Sequence, residues 1–281
     1  MQPLSRWINH TPMTEPVGFE AQLKNFPSDV ASLTCIVQGL LVHSEWLPYG
    51  IDPDAFSSVS RATLPVSQRL GRLIARDALG VCEARAPAQR EVGTCRDFAL
   101  TLCAFLRAGG TPARVRCGFA SYFGEGWEDH WVCEYWSSER NRWLLSDPQL
   151  DEAIRVACEV KFDPSDVPRD VFLSAGEAWL QCRAGVENPA IFGHENTRGI
   201  WFIMVNVIRD CYAMNNRETS LWDRWREALP EMCVVPSGEM SALDGYAREP
   251  EMYPGANAMR SWPNACYNQT QASYRGMCRC Q

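Results

Sequence analysis

The chain has little histidine, no long apolar run and no excess of positive charge, and each lack removes a class of function. The longest hydrophobic stretches in its 281 residues fall well short of about 18 residues, so a membrane span is not expected. The opening MQPLSRWINHTPMTEP has no apolar core of the signal-peptide kind, which points to a cytoplasmic protein. The formal net charge is −7, where a nucleic-acid partner would call for a basic face. No CxxC pair, no acidic loop of EF-hand spacing and no glycine-rich nucleotide fingerprint occurs, so neither a metal nor any other cofactor is expected. Only His10, His43, His130 and His194 are available for chemistry that needs an imidazole.

Cysteine is abundant instead. Thirteen are scattered through apolar segments, and without a secretory leader they read as reduced, buried, small hydrophobes. Residues 1–31 are polar and irregular and look like a loosely attached N-terminal arm. Helical spacing of apolar residues marks 31–48, stopped by Pro48, and 66–80, closed by Gly80. Further helices are expected over 171–183 and 200–214. After about residue 235 the chain is rich in Gly, Pro, Met and Asn with little periodicity. It reads as a C-terminal tail (235–281) packed on a domain of residues 32–234.

One thiol stands in a special place. In Gly93-Thr94-Cys95-Arg96-Asp97-Phe98, Thr94 suits an N-cap. Phe98, Leu102, Phe105 and Leu106 then form an apolar stripe that ends at Gly109-Gly110. Cys95 falls in the first turn of that helix, where the dipole and free N–H groups favour a thiolate. Strict alternation over 113–119 makes a strand. His130 to Trp136 and Arg142 to Ser146 make two more, joined by Ser137-Ser138-Glu139-Arg140. With that loop, His130 faces Asp147 across the hairpin at about 5 Å between Cβ atoms, and an acid there would hold the imidazole in one tautomer.

These motifs, GTCRDFA, FGEGWEDHWVCEYW and RWLLSDPQLD, resemble the transglutaminase-like superfamily of papain-like thiol enzymes. Within it, the chain is similar to microbial single-domain members. The resemblance extends from about residue 32 to 226. It implies an α+β fold with a papain/transglutaminase-like core, the nucleophile helix packed on an antiparallel sheet, and additional helices. It implies Cys95 as nucleophile, His130 as general base and acid, and Asp147 as the residue that orients the histidine. Such enzymes use the nucleophile's own N–H and an upstream group as oxyanion donors. Trp46 and Gln89 are both candidates for the second donor, and Trp127 and Trp131 for the wall of the substrate site. Glu125, Glu128 and Asp129 read first as solvated loop acids, with capture of a cationic amine acceptor as the alternative, His194-Glu195 as a solvated pair, and Asp97 as a helix-terminus residue.

The expected activity is acyl transfer through a thioester, with amide-bond formation on a small amino-acid or peptide substrate in a biosynthetic pathway as the first reading. The partners are then a small-molecule or peptide acyl donor, a carrier-bound thioester among them, and an amine acceptor. A peptidase or amidase with the same triad is the alternative. An idle peptide-binding module is the alternative from another class.

Overall fold

The computed structural model describes residues 4–44, 64–77, 79–194, 196–218, 235 and 240–252. Two units divide the chain. The first takes Met1–Arg116, Ala120–Glu125 and His130–Phe172; the second takes Cys117–Phe119, Gly126–Asp129 and Leu173–Gln281.

The first unit opens with α1 (Glu20–Leu23) and α2 (Val30–Leu40). Asp29 caps α2 by accepting from the Ser32 N–H at 2.8 Å. The helix does not reach Pro48. It gives way to β1 (Leu41–His43), which pairs in parallel with β2 (Glu91–Gly93), His43 opposite Gly93. All three residues of β1 are buried, so the ladder satisfies backbone groups that water cannot reach. Between these strands lies α3 (Val66–Arg76). It stops short of Gly80 because Asp77 turns extended; its carboxylate takes the Leu79 N–H at 3.0 Å and the Arg85 guanidinium.

The N-terminal segment is not loose. Trp7 is 1% exposed, with its ring edge-on to Trp143 and under Arg114. Thr14 accepts from Arg107 at 3.1 Å, and the Val66 N–H reaches the Met13 carbonyl. A lone Trp among polar residues carries no periodicity, which is why the sequence concealed this docking.

Thr94 and Asp97 close a reciprocal capping box at the start of α4 (Cys95–Ala108). Every residue from Cys95 to Arg107 is buried. The helix is flanked by α1, α2, α3 and β2. On its sheet side, Arg107 reaches the Ala113 carbonyl at 2.9 Å and Cys103 hydrogen-bonds Cys133. The sheet strands are β3 (Ala113–Ala120), β4 (Trp127–Ser137) and β5 (Arg142–Ser146), with β3 beside β4 and β5 antiparallel to it. Ser137 pairs Arg142 and Tyr135 pairs Leu144, so the loop is Ser138 to Asn141, one residue later than the sequence suggested. Asn141 adopts φ 48°, a left-handed turn conformation that Asn tolerates well. The pairing therefore shifts by two residues, an even slip that leaves every side chain on its expected face. A short helix, α5 (Glu152–Ala157), follows.

The second unit contains β6 (Phe172–Ser174, its first residue in the other unit), α6 (Ala175–Arg183), β7 (Phe192–His194), β8 (Thr197–Arg198), α7 (Ile200–Ala213) and α8 (Met240–Arg248). Ser174 and Glu177 form a second capping box. Phe119, Phe192 and Phe202 centre the core. A Cβ on Gly193 would lie 2.2 Å from the Thr197 carbonyl, so only glycine allows β7 to meet β8 there. Residues 240–252 form α8 and a 3-10 turn, regular structure that the composition had hidden. Leu243 is buried, and Asp244 accepts from Trp179 at 2.8 Å. β4 already begins at Trp127, so Glu128 and Asp129 are not loop acids. Glu128 pairs His194 and Arg198, so His194 is no solvated surface residue either; Glu195 lies outside the described residues. Asp129 is 5% exposed and binds Asn206 and Arg209. The architecture is α+β, and among the described residues no helix is long and apolar enough to cross a membrane.

Candidate active site

Asp147 is the first residue after β5, and its peptide N–H is tied to the Pro164 carbonyl at 2.8 Å. Its side chain is fully buried. Oδ1 accepts from the Gln149 N–H at 3.0 Å. Oδ2 accepts from His130 Nε2 at 2.7 Å and from the Tyr122 hydroxyl at 2.6 Å. With Nε2 committed to the carboxylate, Nδ1 is the ring nitrogen left for Cys95, whose thiol hydrogen-bonds the imidazole. The chain thus brings sulfur, ring and carboxylate together in series. Exposure falls along the series from 8% at Cys95 to 2% at His130 and 0% at Asp147.

Burial alone would lower the proton affinity of His130. The charge of Asp147 and its hydrogen bond, joined by the hydrogen bond and charge of Cys95, outweigh burial and raise the pKa from 6.5 to about 10. The imidazole is also enclosed: Phe123, Tyr122 and Phe172 meet it edge-on at 4.8, 5.9 and 6.5 Å between centroids. Such rings exclude water and strengthen the electrostatics inside.

Three other thiols of the chain are shifted upward. Burial and the neighbouring Cys103 push Cys133 far up, burial and the charge of Asp147 push Cys158 up, and burial with Glu187 pushes Cys182 up to about 11. None of them faces an imidazole through such a bond, and a protonated thiol is a poor nucleophile.

Of the four candidates for oxyanion and substrate contacts, Trp131 is 2% exposed and lies under the Arg96 guanidinium at 6.0 Å, between residues adjoining Cys95 and His130 in sequence. Gln89 is exposed in the 3-10 turn Pro87–Gln89 that leads into β2. Trp127 belongs to the second unit and stacks on Phe192 at 5.7 Å. Trp46 lies outside the described residues.

Two supports of the site had no signal in the sequence. Tyr122 sits in the irregular stretch after β3, where only the fold aims its hydroxyl at Asp147. Arg69, on α3, pairs Asp97 at 2.7 Å with both side chains nearly dry, and also binds the Val92 carbonyl at 2.8 Å. Asp97 is more than a helix-terminus residue: its ion pair with Arg69 also fixes the turn that carries Cys95. Among the described residues, no cluster of three or more His, Cys, Asp or Glu could hold a metal ion.

The model of the transglutaminase-like superfamily matches residues 76–148, a stretch that contains Cys95, His130 and Asp147. A crystal structure from Cytophaga hutchinsonii, provisionally described as a cysteine protease, is similar over 53% of this chain and 43% of its own length, at 15% identity and a TM-score of 0.36. The chain spans less than half the length of that protein. No curated protein matches the chain.

Proposed function

Starting from a chain that carries a transglutaminase-like core over residues 76–148, we propose that it is a thiol acyltransferase with Cys95 as nucleophile, His130 as acid and base, and Asp147 as the group that orients His130. The observation that carries this reading is the dry 2.7 Å bond between His130 Nε2 and Asp147 Oδ2, with the Cys95 thiol on the same ring.

In the reaction, the Cys95 sulfur adds to an acyl carbonyl, and the proton it gives up rests on His130. The oxyanion is met by the Cys95 backbone N–H at the start of α4, where the helix dipole helps. Collapse breaks the bond to the leaving group, which takes the proton from His130, and a thioester remains. An amine then adds to the thioester, His130 accepts its proton, and collapse releases the amide and returns that proton to sulfur. Water in place of the amine would give the acid by the same steps. The aromatic enclosure of His130 supports the amine, because a site that admits little water lets a bound acceptor compete. The substrates are a small amino-acid or peptide acyl donor, a carrier-bound thioester among them, and a primary amine, in a biosynthetic setting.

The test is capture. Enzyme incubated with a thioester donor and hydroxylamine is expected to accumulate the hydroxamate, and Cys95→Ala to make none while keeping its thermal stability. Free acid alone would overturn transfer in favour of hydrolysis. Intact-mass labelling with iodoacetamide at pH 6 should mark Cys95 before the other twelve of the thirteen cysteines, the exposed Cys35 and Cys82 included. No label at Cys95 together with no turnover would leave a binding module.

A further inference from the structure

We propose that Tyr122 is a positioning residue that sets how tightly His130 holds its proton, by sharing the carboxylate oxygen on which the imidazole rests. The geometry is specific. Asp147 presents two oxygens; one is taken by the Gln149 N–H, and the other receives both the Tyr122 hydroxyl at 2.6 Å and His130 Nε2 at 2.7 Å. Two donors on one oxygen divide its charge, so each is held less strongly than it would be alone. Tyr122 is buried, with its ring edge-on to both His130 and Phe162, so the hydroxyl cannot swing to solvent.

Burial, the charge of Asp147 and its hydrogen bond, and the nearby Cys95 and Cys158 hold the Tyr122 hydroxyl well above the usual phenol range. It therefore donates at every working pH and does not compete for the proton. The groups that act on His130 are Asp147 and Cys95, and Tyr122 acts on it through Asp147. Asp147 alone would bind the imidazolium so firmly that proton return to a leaving group becomes slow. A second donor on Oδ2 brings the two needs into balance: the ring stays oriented, and its proton can still leave.

The kinetic part of this inference rests on the acyl-transfer reading above; the spectroscopic part does not. With only four histidines in the chain, the His130 ring is assigned by its loss in His130→Asn. In Tyr122→Phe the His130 titration midpoint should rise by about half a unit to one unit, and the Nε2 proton should move downfield as its bond to Asp147 shortens. Replacing Tyr122 by 3-fluorotyrosine or 3,5-difluorotyrosine, which donate more strongly, should move both signals the other way in a graded series. This fluorinated series decides the matter even where the Phe variant folds poorly. In Tyr122→Phe, kcat should fall about tenfold with KM unchanged, the basic limb of the rate profile following the midpoint upward. A midpoint that stays fixed across the series overturns the inference. So does one that falls in Tyr122→Phe, because the hydroxyl would then merely hold Asp147 in place. Loss of the acyl-transfer reading would look different: Cys95→Ala would keep its turnover while the His130 signals still followed the series.

Discussion

Two carboxylates of the same β-hairpin are buried to the same degree and keep different partners. Glu134, on β4, is 1% exposed, and Asp147, just after β5, is 0% exposed. Glu134 accepts from Arg114 at 2.7 Å, Arg116 at 3.1 Å and Arg169 at 2.6 Å. Burial would push its carboxyl up, but three guanidiniums outweigh burial and hold it far below the usual carboxylate range. An arginine does not lose its proton in a protein, so nothing in that cluster changes charge in use. Among the described residues Asp147 pairs with His130, a cation that can give its proton away. A strongly perturbed carboxyl is thus no mark of function by itself; what distinguishes the two is whether a partner can exchange a proton within reach of a nucleophile. On the function proposed above, the first cluster anchors and the second is poised.

The largest effect comes from breaking the poised member. Asp147→Asn keeps the shape but lets the amide donate toward Nε2, which favours the wrong tautomer of His130. Turnover should fall by about 10³- to 10⁴-fold, read as the rate of amide formation per folded molecule. Glu134→Gln is the matched control and should leave that rate within about twofold. A comparable loss in both variants would erase the distinction drawn between the clusters.

In stability the ranking reverses. Glu134→Gln leaves three guanidiniums without their anion, and breaking a buried pair in this way costs about 3–5 kcal/mol. Urea unfolding should place the loss toward the lower figure, because the Arg169 side chain is 45% exposed and can be solvated in place. Asp147→Asn should cost about half as much, since its remaining partners are neutral donors once His130 gives up its charge.

The two clusters also predict the two limbs of the pH–stability curve. The folded pKa of Glu134 lies below its ordinary 4.5. Its contribution is therefore fully present above that value and fades as pH falls below it. His130 is raised from 6.5 to about 10, so its contribution is complete below 6.5 and fades as pH rises toward 10. Thermal melts in reductant should show Tm falling by about 3 °C between pH 6.5 and about pH 8.5, below the phenol range. Asp147→Asn should flatten that alkaline limb and leave the acid limb. Glu134→Gln should do the reverse. A shared response of both limbs to either substitution would mean that the clusters are not independent.

The poised cluster was legible in the sequence and the anchoring one was not. Cys95 announces itself through Thr94, the apolar stripe and Gly109-Gly110, all local. His130 and Asp147 could be matched because a hairpin relates its residues by counting. The count placed the loop one residue early, yet strand parity kept both side chains on one face. Glu134 is held by residues from β3 and from the stretch after α5, and no local pattern relates 114, 116 and 169 to 134. Tyr122 and Arg69 were hidden for the same reason. Where the sequence reading erred on elements, tertiary pairing decided: β1 ended α2 early because Leu41 to His43 found a parallel partner in β2, and Trp7 docked a segment that composition made look free.

The smallest effect tests how the anchor is built. Arg114 packs on the Trp143 ring at 4.1 Å and is 11% exposed, whereas the Arg169 side chain is 45% exposed. An ion pair that reaches into solvent trades direct attraction for lost hydration and side-chain freedom, and salt screens what remains. Arg169→Ala should therefore cost no more than about 1 kcal/mol, and raising the salt concentration should shrink even that difference. Arg114→Ala should cost more, since it removes the bond to Glu134 and the cation packed on Trp143 together. Equal losses from the two substitutions, unmoved by salt, would show that the half-exposed arm carries as much of the anchor as the enclosed one.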